Sequence, residues 1–197
     1  MLRETTLDTI DAPQEQSSNR TKKVIREVVE TIVLTLLIFL VVRLVVQNFR
    51  VDGFSMLPTV KNGDLVLVNK FDYMFESPQR GDIIVFHFPL NPSEDFIKRV
   101  IGVPGDTVRI KGGVGVFVDG HLLKESYIPK SYQVALPSES GYNMAAEKVP
   151  PNEYFVLGDN RNNSYDSHAW GFVPRRNIIG KALVAYWPLN NIKFFAF

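Results

Sequence analysis

A run of nineteen residues from Val28 to Val46, VVETIVLTLLIFLVVRLVV, constrains this chain more than any other feature. Fifteen of its positions are Val, Ile, Leu or Phe, and its only charges, Glu30 and Arg43, stand near the ends. As a helix the run rises about 28 Å, close to the hydrocarbon thickness of a bilayer. At about −0.3 to −0.6 kcal/mol per aliphatic residue, its apolar side chains contribute roughly −4.5 to −9 kcal/mol to insertion. Two charges able to snorkel cost less than their mid-bilayer values of about 2.5 to 3.5 kcal/mol each, so insertion wins. A buried core helix would show a polar face, which the run lacks. Nor do Val45, Val46, Gln47 and Asn48 offer the small-x-small exit site of a cleavable leader. The expectation is a retained single transmembrane helix, with the anchor taken as residues 22–48.

Arg20, Lys22, Lys23 and Arg26 precede the run, against Arg50 and Lys61 in a comparable stretch after it. The positive-inside bias therefore puts the N-terminus in the cytoplasm and everything beyond Val46 across the membrane. Residues 1–21 are polar, of mixed charge and without periodicity, and are read as a disordered cytoplasmic tail.

From Phe49 onward short β-like runs alternate with turn residues, so residues 49–197 are expected to form one mainly β, antiparallel domain. The expected strands are 64–68, 82–88, 96–101, 107–110, 114–118, 154–157 and 182–187, bounded by pairs such as Asn62-Gly63, Pro104-Gly105 and Gly158-Asp159. Asp119-Gly120 between two apolar runs predicts a hairpin turn. Residues 112–151 read as a less regular excursion from the sheet, since the stretch from Lys124 to Pro151 is richer in Ser, Pro, Tyr and Asn.

Lys plus Arg number 22 against 21 Asp plus Glu, so the chain has no general electrostatic attraction for nucleic acid. With no cysteine there is no disulfide, thiolate site or cysteine nucleophile, and covalent catalysis must use Ser, Thr, Lys or a carboxylate. His87, His121 and His168 lack metal-ligand spacing, so no zinc site is expected.

Three segments could carry chemistry. Ser55 lies between Gly53 and Pro58 where a strand-like run breaks, nine residues beyond Val46. That length of chain spans at most about 30 Å, so Ser55 works close to the lipid. Strand alternation sets Phe96, Lys98 and Val100 on one face and Ile97, Arg99 and Ile101 on the other. Lys98 could be an edge residue that snorkels; buried instead, it would lose its charge and become a general base. The third segment packs Asp159, Asn160, Arg161, Asn162, Asn163, Ser164, Asp166 and His168 into the positions after an apolar strand. On its own it could be a loop held by side-chain to backbone hydrogen bonds.

Taken in order after a membrane anchor, these segments resemble bacterial type I signal peptidases, membrane-bound serine proteases that remove leader peptides from exported proteins. The resemblance runs from Asn48 to Trp187 and rests on Gly-Phe-Ser-Met-Leu-Pro-Thr at 53–59, Gly63-Asp64, Arg80-Gly81-Asp82 through Gly105-Asp106, and Gly-Asp-Asn-Arg-Asn-Asn-Ser-Tyr-Asp-Ser at 158–167. It implies a β-sheet catalytic domain of the LexA/signal peptidase type with a smaller β excursion. It further implies Ser55 as nucleophile, Lys98 as general base, Ser164 orienting the Lys98 amine, and a structural salt bridge between Asp159 and Arg99. Gly53 stands where some members carry a hydroxyl that serves the oxyanion, leaving the Ser55 backbone N–H as a donor. His168 stands where well-known members carry an arginine, so the resemblance implies an ion pair with Asp166 that is weakened or pH-dependent and leaves Asp166 as supporting architecture.

The implied partners are preproteins carrying signal peptides, cut after small-x-small sites, and the lipid bilayer, with the protein a monomer that needs no cofactor. The implied location is the inner (plasma) membrane, with a thylakoid membrane as the alternative. A self-cleaving repressor of the LexA kind would share the dyad but needs an N-terminal DNA-binding domain where the apolar run stands. A catalytically dead anchored β domain would have no reason to keep both Ser55 and Lys98. Two aromatic clusters, Phe71, Tyr73, Met74 and Phe75, and Phe194, Phe195 and Phe197, either dip into the membrane interface or pack in the core.

Overall fold

With no Gly or Pro between Glu15 and Asn48, nothing in the N-terminal sequence interrupts a helix. A computed structural model describes residues 15–133 and 143–195, and the chain divides into two compact units at Arg43–Leu44. Helix α1 spans Glu15–Val45, its last two residues belonging to the second unit. It begins inside the stretch expected to be a disordered tail, of which residues 1–14 lie outside the described residues. Its polar turns are tied by an Arg26–Glu30 ion pair of 2.6 Å. Every Val, Ile, Leu and Phe from Val24 to Val42 is more than half exposed. Charged residues at Arg26, Glu27, Glu30 and Arg43 punctuate the helix, and among the described residues no helix is long and apolar enough to cross a membrane.

The second unit is antiparallel β throughout. The larger sheet runs β1 (Val46–Arg50), β2 (Leu65–Asn69), β11 (Ile178–Trp187), β3 (Ile83–Phe88), β4 (Asn91–Gly102), β9 (Glu153–Leu157) and β10 (Val173–Pro174), with β12 (Lys193–Phe194) also on β11. The expected anchor ended at residue 48, but Val46 already pairs with Asn69, so the sheet takes the last residues of the apolar run. Four strands form a second sheet, ordered β7 (His121–Leu122), β6 (Gly115–Val118), β5 (Thr107–Lys111) and β8 (Met144–Lys148). The expected irregular excursion is thus built largely on a regular sheet; its residues 134–142 lie outside the described residues. The turn at Asp119-Gly120 has φ of 51° and 79°, the double positive-φ geometry that suits a two-residue hairpin.

Strand β9 joins the two sheets. Alternation sends Tyr154 and Val156 into one apolar cluster with Ile84, Phe86 and Val100, while Phe155 and Leu157 enter another with Val108, Val116 and Val118 of the small sheet. Two short apolar segments resolve differently from the clusters expected in sequence. In α2 (Asp72–Phe75) Tyr73 is buried and donates its hydroxyl to Asp82 Oδ2 at 2.8 Å, whereas Phe71, Met74 and Phe75 are exposed. Phe195 is buried, Phe194 is exposed, and Phe197 lies outside the described residues.

One row of paired residues crosses five strands. Val46 faces Asn69, Asn69 faces Lys181, Lys181 faces Ile84, and Ile84 faces Lys98. Four strand spacings place Lys98 about 19 Å from Val46 along the sheet, at the same level of the strands.

Phe155 is fully buried in the apolar cluster that the two sheets share, so Phe155→Ala is expected to lower stability by about 3 to 5 kcal/mol in urea denaturation. A loss below about 1 kcal/mol would show that the sheets do not share a core.

Candidate active site

Ser55 is held by a loop whose two ends are pinned. The Val51 N–H donates to Asp64 O and the Gly63 N–H to Val51 O, at 2.9 and 2.8 Å, closing the base of the loop. Met56 and Val60 are buried in a third apolar cluster, with Val66, Val68, Val85 and Ala182 of the larger sheet, and Asn62 Oδ1 accepts the Gly53 N–H at 2.9 Å. The Gly53 N–H is thus engaged, while among the described residues the Ser55 N–H has no backbone or side-chain acceptor and is free to serve an oxyanion.

Lys98 comes from β4, 43 residues away, and its Nζ lies 2.7 Å from Ser55 Oγ and 3.1 Å from Ile97 O. The side chain is 5% exposed. Burial lowers its pKa from 10.5 to about 8, against the opposing pull of the Asp166 and Asp159 carboxylates. A neutral amine at this distance can accept the hydroxyl proton, which is what a general base must do.

The segment after β9 supports both groups. Asn160 N–H donates to Ser55 O at 2.9 Å, and Asn160 Nδ2 to Phe54 O at 3.2 Å. A Cβ on Gly158 would stand 2.4 Å from Ser55 O and 2.3 Å from Ser164 Oγ, so no larger residue fits there. Ser164 Oγ is buried and without a hydrogen-bond partner, resting beside Gly158 rather than bonded to Lys98 Nζ.

Arg99 and Asp159 form the pairing that the resemblance implied. Nε and Nη2 reach the two carboxylate oxygens at 2.8 and 2.6 Å, and Nη1 donates to Gly81 O at 2.9 Å. Both are buried, which the bidentate geometry makes tolerable. Asp166 accepts the Gly158 N–H at 2.9 Å and caps α3 (Ser167–Trp170), with His168 Nδ1 2.6 Å from its other oxygen.

Sequence reasoning missed a second buried pair. Arg161 meets Glu125, donates to Gly158 O at 2.8 Å, and reaches the Tyr127 hydroxyl at 3.0 Å. The Tyr127 ring in turn lies 4.1 Å from the Arg99 guanidinium carbon. Burial pushes the Tyr127 hydroxyl up to about 12, keeping it a neutral donor or acceptor. Glu125 lies in the segment read as irregular, and no spacing signal ties it to Arg161.

A cleft of about 300 Å³ opens beside Ser55 and Lys98, with Phe49, Val51, Val85 and Ile97 among its walls and Phe54 and Tyr165 also lining it. β4 pairs with β3 from Asn91 to Arg99 but with β9 only from Arg99 onward. Among the described residues, the opposite backbone edge of Asp95–Lys98 is therefore not paired by a strand.

A serine hydroxyl against a buried amine, beside an apolar cleft and a free strand edge, is the arrangement of a serine hydrolase that acts on extended chains. Residues 25–187 match the family described as signal peptidase, peptidase S26. Signal peptidase I of Leptolyngbya laminosa is 52% identical over 145 residues, covering 70% of this chain and 67% of that protein. Probable signal peptidase I-1 of Synechocystis sp. is 47% identical, covering 70% and 69%, and signal peptidase I of Bacillus caldolyticus 40%, covering 75% and 82%. The crystal structure of a signal peptidase I from Enterococcus faecalis V583 aligns with a TM-score of 0.44 at 33% identity, over 54% of this chain and 97% of that one. The chain belongs to the signal peptidase family, peptidase S26, and is a serine endopeptidase.

Gly158→Ala is expected to displace Ser55 and cut kcat/KM about a hundredfold while the protein stays folded by circular dichroism. Unchanged kinetics would remove Gly158 from the site. The Lys98 amine binds its proton less tightly in the folded chain, so its burial costs about 3 kcal/mol of stability at pH 7, recovered as pH rises from 8 to 10.5. Lys98→Met is accordingly expected to melt higher than wild type at pH 7, with the advantage shrinking toward pH 10.5. Equal melting temperatures at pH 7 would mean the amine is not desolvated.

Proposed function

We propose that this chain is a membrane-anchored endopeptidase that cleaves N-terminal signal peptides from exported preproteins after small-x-small sites, with Ser55 and Lys98 as its catalytic dyad. The observation that carries the reading is the 2.7 Å approach of a buried Lys98 Nζ to Ser55 Oγ. Neutral Lys98 takes the hydroxyl proton as Ser55 Oγ bonds to the scissile carbonyl carbon, and the Ser55 N–H donates to the oxyanion. Lys98 then gives that proton to the leaving amine as the C–N bond breaks. In the second half-reaction Lys98 takes a proton from water, the hydroxide attacks the ester, and Ser55 leaves with the proton. Ser164 serves by a hydrogen bond to the amine in the substrate complex, and Arg99, Asp159 and Asp166 hold the loop. The substrate lies extended along the open edge of Asp95–Lys98, with small side chains in the shallow apolar cleft.

The anchored reading treats Val28–Val46 as the span, with Glu30 and Arg43 reaching the headgroups rather than breaking it. Its support is the unbroken exposure of apolar side chains along α1, which water would penalise and lipid would not. The row from Val46 to Lys98 keeps the dyad near the level at which the chain leaves α1, where a substrate held by its own apolar leader would present its cut site. The basic residues before the span set the N-terminus in the cytoplasm and the β unit on the far side of the plasma membrane. The enzyme works as a monomer.

The test is cleavage of a preprotein bearing an Ala-x-Ala site by detergent-solubilised protein. Ser55→Ala and Lys98→Met are each expected to lose about 10³-fold or more in kcat/KM. Wild-type kcat/KM is expected to fall about tenfold per pH unit below a midpoint near 8, as Lys98 takes up its proton. An inert wild type, or either variant cutting at the wild-type rate, would overturn the assignment.

A further inference from the structure

The open edge of Asp95–Lys98 divides two faces of the larger sheet, and the two are finished differently. Alternation turns Ile97 to the same side as Val85, its cross-strand partner, where Ile97 and Phe49 pack on the cluster that buries Val51 and Val85. Phe96 and Lys98 turn the other way, with Phe86 and Ile84 as their partners. The cleft of about 300 Å³ draws its walls from both faces: Phe49, Val51, Val85 and Ile97 from the first, Phe96, Lys98 and Tyr165 from the second.

The second face is finished by aromatic rings. Phe96 and Phe88 stack with centroids 4.5 Å apart, and Tyr165 and Trp170 each meet Phe88 edge-on, at 5.9 and 5.5 Å. Phe96 also meets the edge of Phe86 at 6.3 Å. Phe88 and Phe86 are buried, whereas Tyr165 is 54% exposed. One side of the Tyr165 ring is thus braced on a packed cluster while the residue remains open to the cleft.

An extended chain added to the open edge obeys the same alternation as the strands. If the two small side chains of small-x-small fill the shallow cleft on the Ile97 side, the residue between them points to the opposite side, over Phe96 and toward Tyr165. Asp95 falls on the Ile97 side by alternation, so the charge that β4 brings to the x side of the cleft is Lys98. Charged x residues are at a disadvantage beside it: an anion favours the ammonium and withdraws the base, and a cation is repelled by that ammonium. An aromatic x carries neither penalty and finds exposed ring surface to cover.

We propose that Tyr165, braced by Phe88 and flanked by Phe96, forms a binding platform for the x residue of small-x-small substrates and selects an aromatic side chain there. This deepens the proposed function and rests on its placing of the substrate along Asp95–Lys98. The test compares soluble peptides that differ only in carrying Ala-Phe-Ala or Ala-Ser-Ala before the cut, with the full chain in detergent. Wild type is expected to favour Ala-Phe-Ala about tenfold in kcat/KM, mainly through KM, because the platform is formed before substrate arrives. Tyr165→Phe is expected to keep that ratio and Tyr165→Ala to bring it down to about two. Each ratio is internal to one variant, so a general loss of activity cancels.

The same ratios are read as Kd by calorimetry in a Ser55→Ala background, which binds the peptides without cutting them. A wild-type ratio near one, or a tenfold ratio that survives Tyr165→Ala, would overturn the platform and leave the protease reading standing. If wild type cut neither peptide, the protease reading would fail. In that case a Kd ratio lost in Tyr165→Ala would still support the platform, and equal Kd values for the two peptides would overturn it.

Discussion

Lys98 reaches Ser55 only because β4 passes through the sheet with one edge unpaired while its far end is locked between β3 and β9. The amine is surrounded by apolar neighbours, and desolvation works against its charge more strongly than Asp159 and Asp166 work for it. Both carboxylates have their own engagements: Asp159 is neutralised by Arg99, and Asp166 is spent on Gly158, the α3 cap and His168. If either were released toward Lys98, the ammonium would be favoured and the base lost. The polar segment after β9 thus does two things at once, positioning the Ser55 loop and keeping negative charge directed elsewhere.

Val46, where β1 begins, and Lys98 share one row of the sheet, so the register that delivers Lys98 also sets it level with the start of β1. The small sheet adds a second brace. Glu125 and Tyr127 come from the segment leading away from β7 and clasp Arg161, whose guanidinium also holds the Gly158 carbonyl. Two buried ion pairs, made by Asp159 and Arg161 of one loop and linked through Tyr127, leave it little freedom, which suits a site that holds Ser55 Oγ within hydrogen-bond reach of Lys98.

What the sequence revealed depended on how local each signal is. The alternation of β2, β3, β5 and β9 and the turn at Asp119-Gly120 were legible because each pattern is contained in a few residues. β1, β8, β10 and β12 were not, since they are short or largely polar and exist through the strands they pair with. Alternation placed Lys98 beside Phe96 and Val100 but could not say whether that face was buried. The Arg99–Asp159 pair entered only through family resemblance, and the Glu125–Arg161 pair by no route, because ion pairs 60 and 36 residues apart leave no periodic trace. Aromatic clusters misled for the opposite reason: Tyr73 and Phe195 share their segments with exposed neighbours but turn inward.

The central claim is that burial brings the loss of the Lys98 proton down from the ordinary lysine range to about pH 8. An NMR titration of the Lys98 side chain in selectively labelled protein, assigned by its loss in Lys98→Met, reads that proton directly. A midpoint near 8 is the expected result. A midpoint at the ordinary lysine value of 10.5 would contradict the account, because the group beside Ser55 would then be an ammonium throughout the range in which it must act as a base.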